Sequence, residues 1–151
     1  MTHEYRWTYD AIGRLVVERY DKSGSNVDDF ESHYLYDLVG NRLEKRTDNG
    51  LTGSIDEVVV SFFDENDRIL NEKKFLNGST TASEATEYQW GSSTSQTLKT
   101  VTDHVKNTIT YTEMSYNLQG RLSEIVITVT NSQGVLSKIT QTYTYDASGI
   151  R

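Results

Sequence analysis

Apolar and polar positions along this chain follow a short-range alternation broken at regular intervals. Trp7 and Tyr9 stand two apart, so on a strand they share one face. Asp10-Ala11-Ile12-Gly13 then interrupts the pattern, and Leu15-Val16-Val17 resumes it. Asp at the first position of a turn accepts backbone hydrogen bonds, and Gly suits the last. The stretch therefore predicts an aromatic strand, a tight turn and an aliphatic strand, with Arg14 opening the second strand.

The same arrangement returns five times. Its second copy is Tyr34-Leu35-Tyr36-Asp37-Leu38-Val39-Gly40-Asn41-Arg42-Leu43, with one extra residue before Arg42. The third is Phe62-Phe63-Asp64-Glu65-Asn66-Asp67-Arg68-Ile69-Leu70, with Asn66-Asp67 in place of Gly. The fourth, Tyr88-Gln89-Trp90-Gly91, keeps the aromatics, loses the Asp and resumes at Thr97-Leu98-Lys99 after a Ser/Thr-rich loop. The fifth is Met114-Ser115-Tyr116-Asn117-Leu118-Gln119-Gly120-Arg121-Leu122, and the sixth Tyr143-Thr144-Tyr145-Asp146-Ala147-Ser148-Gly149-Ile150-Arg151. The second aromatic of each pair falls at Tyr9, Tyr36, Phe63, Trp90, Tyr116 and Tyr145, in steps of 27, 27, 27, 26 and 29 residues. A period of this length marks a repeat architecture.

Between the copies lie further turn signals: Ser23-Gly24-Ser25-Asn26, Asn49-Gly50, Asn77-Gly78-Ser79, Ser132-Gln133-Gly134 and, more weakly, Lys106-Asn107. Each unit then supplies two strands with a turn at each end, giving about a dozen strands in an antiparallel meander. No helix is expected. Residues 65–75 show some 3.6-residue periodicity through Ile69, Leu70, Lys73 and Lys74, but they sit where the repeat demands a turn and a strand. The expected fold is all-β: about six hairpin units of roughly 27 residues, near 1–27, 28–54, 55–81, 82–107, 108–135 and 136–151, in one region. An open curved sheet, a spiral and a closed barrel are all compatible with that count. Equivalent aromatics should lie at equivalent heights and pack into a ladder, and the Arg after each turn should pair with its own or a neighbouring turn Asp, or lie on a Tyr face.

Composition sharpens this picture. Hydrophobic residues make up 35% of the 151, with neither proline nor cysteine, so disulfides and thiolate metal sites are excluded. The formal charge of −7 disfavours nucleic acid and anionic membrane surfaces as partners. No apolar run approaches the roughly 18 residues of a spanning helix, and the first residues lack the basic and apolar regions of a signal peptide.

Candidate chemistry is sparse. Asp10, Asp37, Asp64 and Asp146 are carboxylates of the kind used in acid–base catalysis, but the pattern places each to cap its own turn. The run Asp28-Asp29-Phe30-Glu31-Ser32-His33 reads as a solvated loop entering a strand before it reads as a metal site. Asp64-Glu65-Asn66-Asp67 lacks the spacing and terminal Glu of a calcium loop. His3, His33 and His104 are scattered, so zinc is not expected, and there is no Gly-x-Ser-x-Gly elbow. Gly13, Gly40, Gly120 and Gly149 are turn glycines rather than a phosphate cradle. Asn77-Gly78-Ser79 matches a glycosylation sequon and equally a hairpin turn. No catalytic residue, cofactor or metal is expected. The feature with a plausible second use is the aromatic set Trp7, Tyr9, Tyr36, Trp90 and Tyr145, which either packs on itself or offers ring faces to a glycan or protein partner.

The pattern Tyr-x-Tyr-Asp-x-x-Gly-Arg-Leu, at residues 7–15, 34–43, 114–122 and 143–151, resembles the YD repeat, also called the RHS repeat. The resemblance covers nearly the whole chain, with copies three and four departing at the Gly and at the Asp. It implies hairpins that spiral into a large hollow shell, as in Rhs polymorphic toxins, Tc toxin subunits, wall-associated proteins and teneurins. It also implies a secreted or cell-surface setting, with further YD repeats of a parent chain, an enclosed toxin domain or a glycan as partners. Six units make a section of wall, and the stop in mid-motif at Arg151 fits a longer parent. The self-cutting core segment of some members carries an Asp-Pro signature, which a chain without proline lacks. Bare sheet edges predict self-association.

Overall fold

A computed structural model of the chain describes residues 3–22, 24, 27–91, 95–146 and 148–150. The expected turn at Ser23-Gly24-Ser25-Asn26 and the Ser/Thr-rich loop of the fourth copy lie largely outside the described residues. The fold is all-β. Eleven strands are present among the described residues, in two compact units, Met1–Ser83 and Glu84–Arg151.

The first unit contains β1 (Glu4–Tyr9), β2 (Leu15–Asp21), β3 (Phe30–Tyr36), β4 (Arg42–Asn49), β5 (Glu57–Phe63) and β6 (Ile69–Leu76). Each strand is antiparallel to the next in chain order. The second unit contains β7 (Glu84–Trp90), β8 (Gln96–Asp103), β9 (Thr108–Tyr116), β10 (Leu122–Asn131) and β11 (Gly134–Thr142), again a meander. The weak helical periodicity of 65–75 yields to strand β6, because a hairpin partner is available there and Phe63 pairs with Ile69.

One backbone hydrogen bond closes every motif turn. The N–H of Asp10 donates to the C=O of Arg14 at 2.9 Å, and the same bond runs from Asp37 to Asn41, Asp64 to Arg68, Gly91 to Ser95, Asn117 to Arg121 and Asp146 to Ile150 at 2.8–3.1 Å. The fourth copy therefore closes at the same span as the others, and its strand resumes at Gln96 rather than Thr97. In the second copy the place of Arg14 belongs to Asn41. Arg42 falls one position later, opposite Tyr36, where Leu15 stands opposite Tyr9, so no residue is inserted. Gly13 supplies the positive φ the turn needs (+84°), and at the third turn Asp67 takes it at +59°, a conformation short polar residues tolerate.

A β-bulge follows each of the first five motif turns. Pairing skips Val16, Leu43, Leu70, Thr97 and Ser123, so two residues oppose one at the same place in each hairpin. The bulge reverses the inward–outward alternation close to the turn and lets Leu15-type residues sit opposite the aromatic.

Neither unit has an ordinary hydrophobic core. Among the described residues no apolar side chain is buried, and the buried ones are Asp21, Ser32, Thr47, Asp48, Ser61 and Thr86. Ser32 and Thr47 hydrogen-bond across β3 and β4 at 2.9 Å, which satisfies two hydroxyls out of reach of water.

Candidate functional site

The turn carboxylates are occupied by their own turns. One oxygen of Asp10 accepts the N–H groups of Ile12 and Arg14 at 3.0 and 2.9 Å. Asp37 accepts from Val39, Gly40 and Asn41, Asp64 from Asn66 and Arg68, and Asp146 from Ser148 and Ile150. In the fifth copy the amide oxygen of Asn117 does the same for Gln119 and Arg121. The backbone N–H and side chain of Arg14 hold Asp10 below its usual value, and those of Arg68 do so for Asp64. At Asp37 desolvation works upward, but the bonds from Asn41, Gly40 and Val39 outweigh it and hold the carboxyl low.

Arg14 links successive motifs. Its Nε donates to Asp10 at 2.7 Å, its Nη1 to the C=O of Asp37 at 2.8 Å, and its guanidinium lies 4.9 Å from the Tyr36 ring centroid. The Tyr36 hydroxyl donates to the C=O of Leu15 at 2.8 Å. The second unit repeats this bond from Tyr116 to Gln96 at 2.7 Å and from Tyr145 to Leu122 at 2.8 Å, and Arg121 lies 5.5 Å from the Tyr145 ring. Phe63 has no hydroxyl to offer. The motif aromatic is thus a tether to the preceding hairpin.

The opposite ends of the first unit's hairpins carry a second tether that the motif search misses. The N–H groups of Asp29, Asp56 and Ser83 donate to the C=O groups of Tyr20, Thr47 and Lys74 at 2.7–2.9 Å. The Asp29 and Asp56 carboxylates accept from the N–H groups of Lys22 and Asn49, both at 2.6 Å. Their C=O groups accept from Gly50 and Asn77 of the next connection. Every member of each set is 27 residues from its equivalent. The signal was present in Asp29 and Asp56, but their surroundings share no other side chain.

Ring stacking in the first unit also differs from the expected ladder. It runs Trp7–Tyr5–Tyr20–Phe30, with centroids 5.8, 4.6 and 5.6 Å apart. Of the expected set it includes Trp7 and joins it to residues outside the motif. Tyr5, Trp7 and Tyr9 remain 48%, 52% and 57% exposed on the edge strand β1. Tyr36 is half-buried under Arg14. In the second unit Trp90 and Tyr145 are half-buried, Tyr145 under Arg121.

The run 28–33 divides between partners. Asp28 pairs with Arg6, Glu31 with Arg19 and His33, and Ser32 is buried. Among the described residues no three His, Asp or Glu side chains form a group that could hold a metal ion. Tyr34 is pushed up to about 12 by burial and by its bond to Glu18. A cleft of about 440 Å³ opens in the second unit beside Arg121 and Tyr145, and one of about 250 Å³ in the first beside Ser32 and Thr47. No protein-family model and no curated protein matches this chain.

Proposed function

We propose that the chain is a structural module of YD repeats, a section of the shell or extended surface of a larger secreted or cell-surface protein of toxin-like type. The observation that carries the reading is the tether from each motif Tyr to the preceding hairpin, made at Tyr36, Tyr116 and Tyr145. It ties hairpin to hairpin and leaves each turn's polar groups engaged in holding the chain. Without a buried apolar core, stability rests on contacts between neighbours, as in repeat arrays. Further repeats of a parent chain are the partners this module fits, or a second copy meeting its edges. Strand β11 pairs with β10 on one side and exposes Val135, Leu136 and Ile139, an edge of the kind that recruits another strand.

Duplicating residues 28–54 in place tests the reading. An array gains one unit and one interface, so the urea midpoint of the first unit rises and the strand signal grows in proportion to length. A chain that unfolds, or keeps its midpoint, overturns it.

The exposure of Tyr5, Trp7 and Tyr9 favours a second reading, a module that binds glycan or protein through this aromatic strip. A saturable change in tryptophan fluorescence with a glycan, lost in Trp7→Ala and kept in Trp90→Phe, would support it. Unchanged titration in Trp7→Ala would remove it.

A further inference from the structure

Six motif turns share one backbone plan, and the notch between a turn and the following motif is lined by equivalent residues. In the first unit these are Asp10, Ile12, Arg14 and Val16 facing Leu35 and Asp37. In the second they are Asn117, Gln119, Arg121 and Ser123 facing Thr144 and Asp146. An acid has become an amide, and three aliphatic residues have become Gln, Ser and Thr, all around one notch. The retained Asp146 is engaged by the N–H groups of Ser148 and Ile150, both at 2.9 Å.

The exchange changes the state of the arginine. Arg14 and Arg68 each pair with the carboxylate of their own turn at 2.7–2.8 Å. Arg121 has Asn117 there instead, and among the described residues it makes no ion pair and donates no side-chain hydrogen bond. Its guanidinium is held over Tyr145 and against Gly149, where an added Cβ would lie 2.6 Å from it. It is therefore a positioned cation with donors to spare, on the wall of the 440 Å³ cleft.

We propose that this cleft binds a small acidic sugar, its carboxylate on Arg121 and its hydroxyls on the neutral side chains around it. A guanidinium fork matches a carboxylate in two parallel charge-assisted bonds. Asn and Gln amides and Ser and Thr hydroxyls both donate and accept, as sugar hydroxyls require. The volume is within the range of small-molecule sites, roughly 300–1,000 Å³. The formal charge of −7 gives an anion no long-range steering, so recognition is local. The site faces solvent, and the expected Kd is on the order of 1 mM. The proposal stands apart from the wall reading and from the Trp7 strip.

Amide NMR of the intact chain at constant ionic strength, titrated with sodium glucuronate, glucose and sodium acetate, tests it. Glucuronate shifts amides of 117–123 and 143–146 saturably, and glucose and acetate each bind at least tenfold more weakly. Asn117→Asp, which returns to Arg121 the partner Arg14 has, weakens glucuronate at least tenfold while the amide spectrum stays dispersed. Arg121→Gln does the same. Absence of saturable shifts overturns the proposal, as does equal binding of glucose, which would leave the guanidinium without a role. Equal binding of acetate reduces the site to a simple anion contact and also overturns it, and so does unaltered binding in both variants.

Discussion

The two units build the same hairpins with different chemistry at their ends. In the first unit Asp10, Asp37 and Asp64 cap the motif turns, and Asp21, Asp29, Asp48 and Asp56 organise the opposite ends. In the second, Gly91 and Asn117 take the turn position and the hairpin at 131–134 is capped by Asn131, with acids at Asp103 and Asp146. The motif turns keep the same closing bond within 0.3 Å. Outside the Gly91 copy, the plan rests on a side-chain oxygen two residues before the first N–H that donates to it, and on a positive φ near the turn's end. Whether that oxygen belongs to an acid or an amide is free to vary, and the variation decides whether the following arginine is neutralised or available.

The largest effect is expected where an acid cannot be replaced by water. The buried Asp48 carboxylate accepts the N–H groups of Thr52 and Gly53 at 3.0 and 2.8 Å. Asp48→Ala strands these donors and should cost about 2 kcal/mol in urea unfolding, read as lost amide protection in the first unit with the second unit unchanged. A cost below about 0.5 kcal/mol would show that the far-end connections reorganise freely and that the contrast between the units is superficial.

Next come the tethers, which the units share. Tyr36→Phe, Tyr116→Phe and Tyr145→Phe each delete a hydroxyl bonded to a strand-opening C=O, with an expected cost of about 1 kcal/mol apiece. A loss confined to one unit would mean the tether is not a common device. Gly13→Ala follows at just under about 1 kcal/mol. Its φ of +84° strains any Cβ although nothing lies within 4 Å, so the cost is conformational alone. The same change at Gly149 meets Arg121 as well and should disturb the Tyr145 stack, a shift visible in the tyrosine ring resonances.

The strands and motif turns were legible because their signals are local. An aromatic pair, an acid and a Gly within nine residues suffice to mark a hairpin, and the 27-residue step places it. Two things were hidden for opposite reasons. The bulge at Val16 and its equivalents has no residue signature: Val, Leu, Leu, Thr and Ser occupy it, since geometry close to the turn and not side-chain chemistry produces it. The far-end tether had a signature in Asp29 and Asp56, but its third member is Ser83, whose N–H makes the same bond without the carboxylate. The shift of Arg42 by one position mimics an insertion because Arg is the louder residue. Asn41 keeps the role, its amide bonding both Asp37 at 2.9 Å and Asp67 at 2.8 Å. The aromatic ladder departs from the motif because strand pairing sets which rings meet: Tyr5 faces Tyr20 and Tyr20 faces Phe30.

The smallest effect separates the units by pH. Asp10, Asp37 and Asp64 have lowered folded-state values, against 3.8 for the free side chain. Between the folded and unfolded values the unfolded chain binds more protons, so their contribution is complete above the unfolded value and disappears as pH falls through the folded one. The second unit has a neutral amide at Asn117, and its lowered acid is Asp103, held by Lys106. On acidification from about pH 5 to about pH 2.5, amide exchange should therefore rise first at 12–14, 39–41 and 66–68, and later or not at all at 119–121. Solvent screens these exposed carboxylates, so added salt should narrow the gap at the Arg-paired turns more than at Asp37, whose partners are neutral. Asn117→Asp should bring 119–121 into the acid-sensitive group, with the backbone bonds already in place to lower the new carboxylate. If instead both sets open at one pH and the substitution leaves 119–121 unmoved, turn charge is not what distinguishes the units, and the available guanidinium of Arg121 would need another cause.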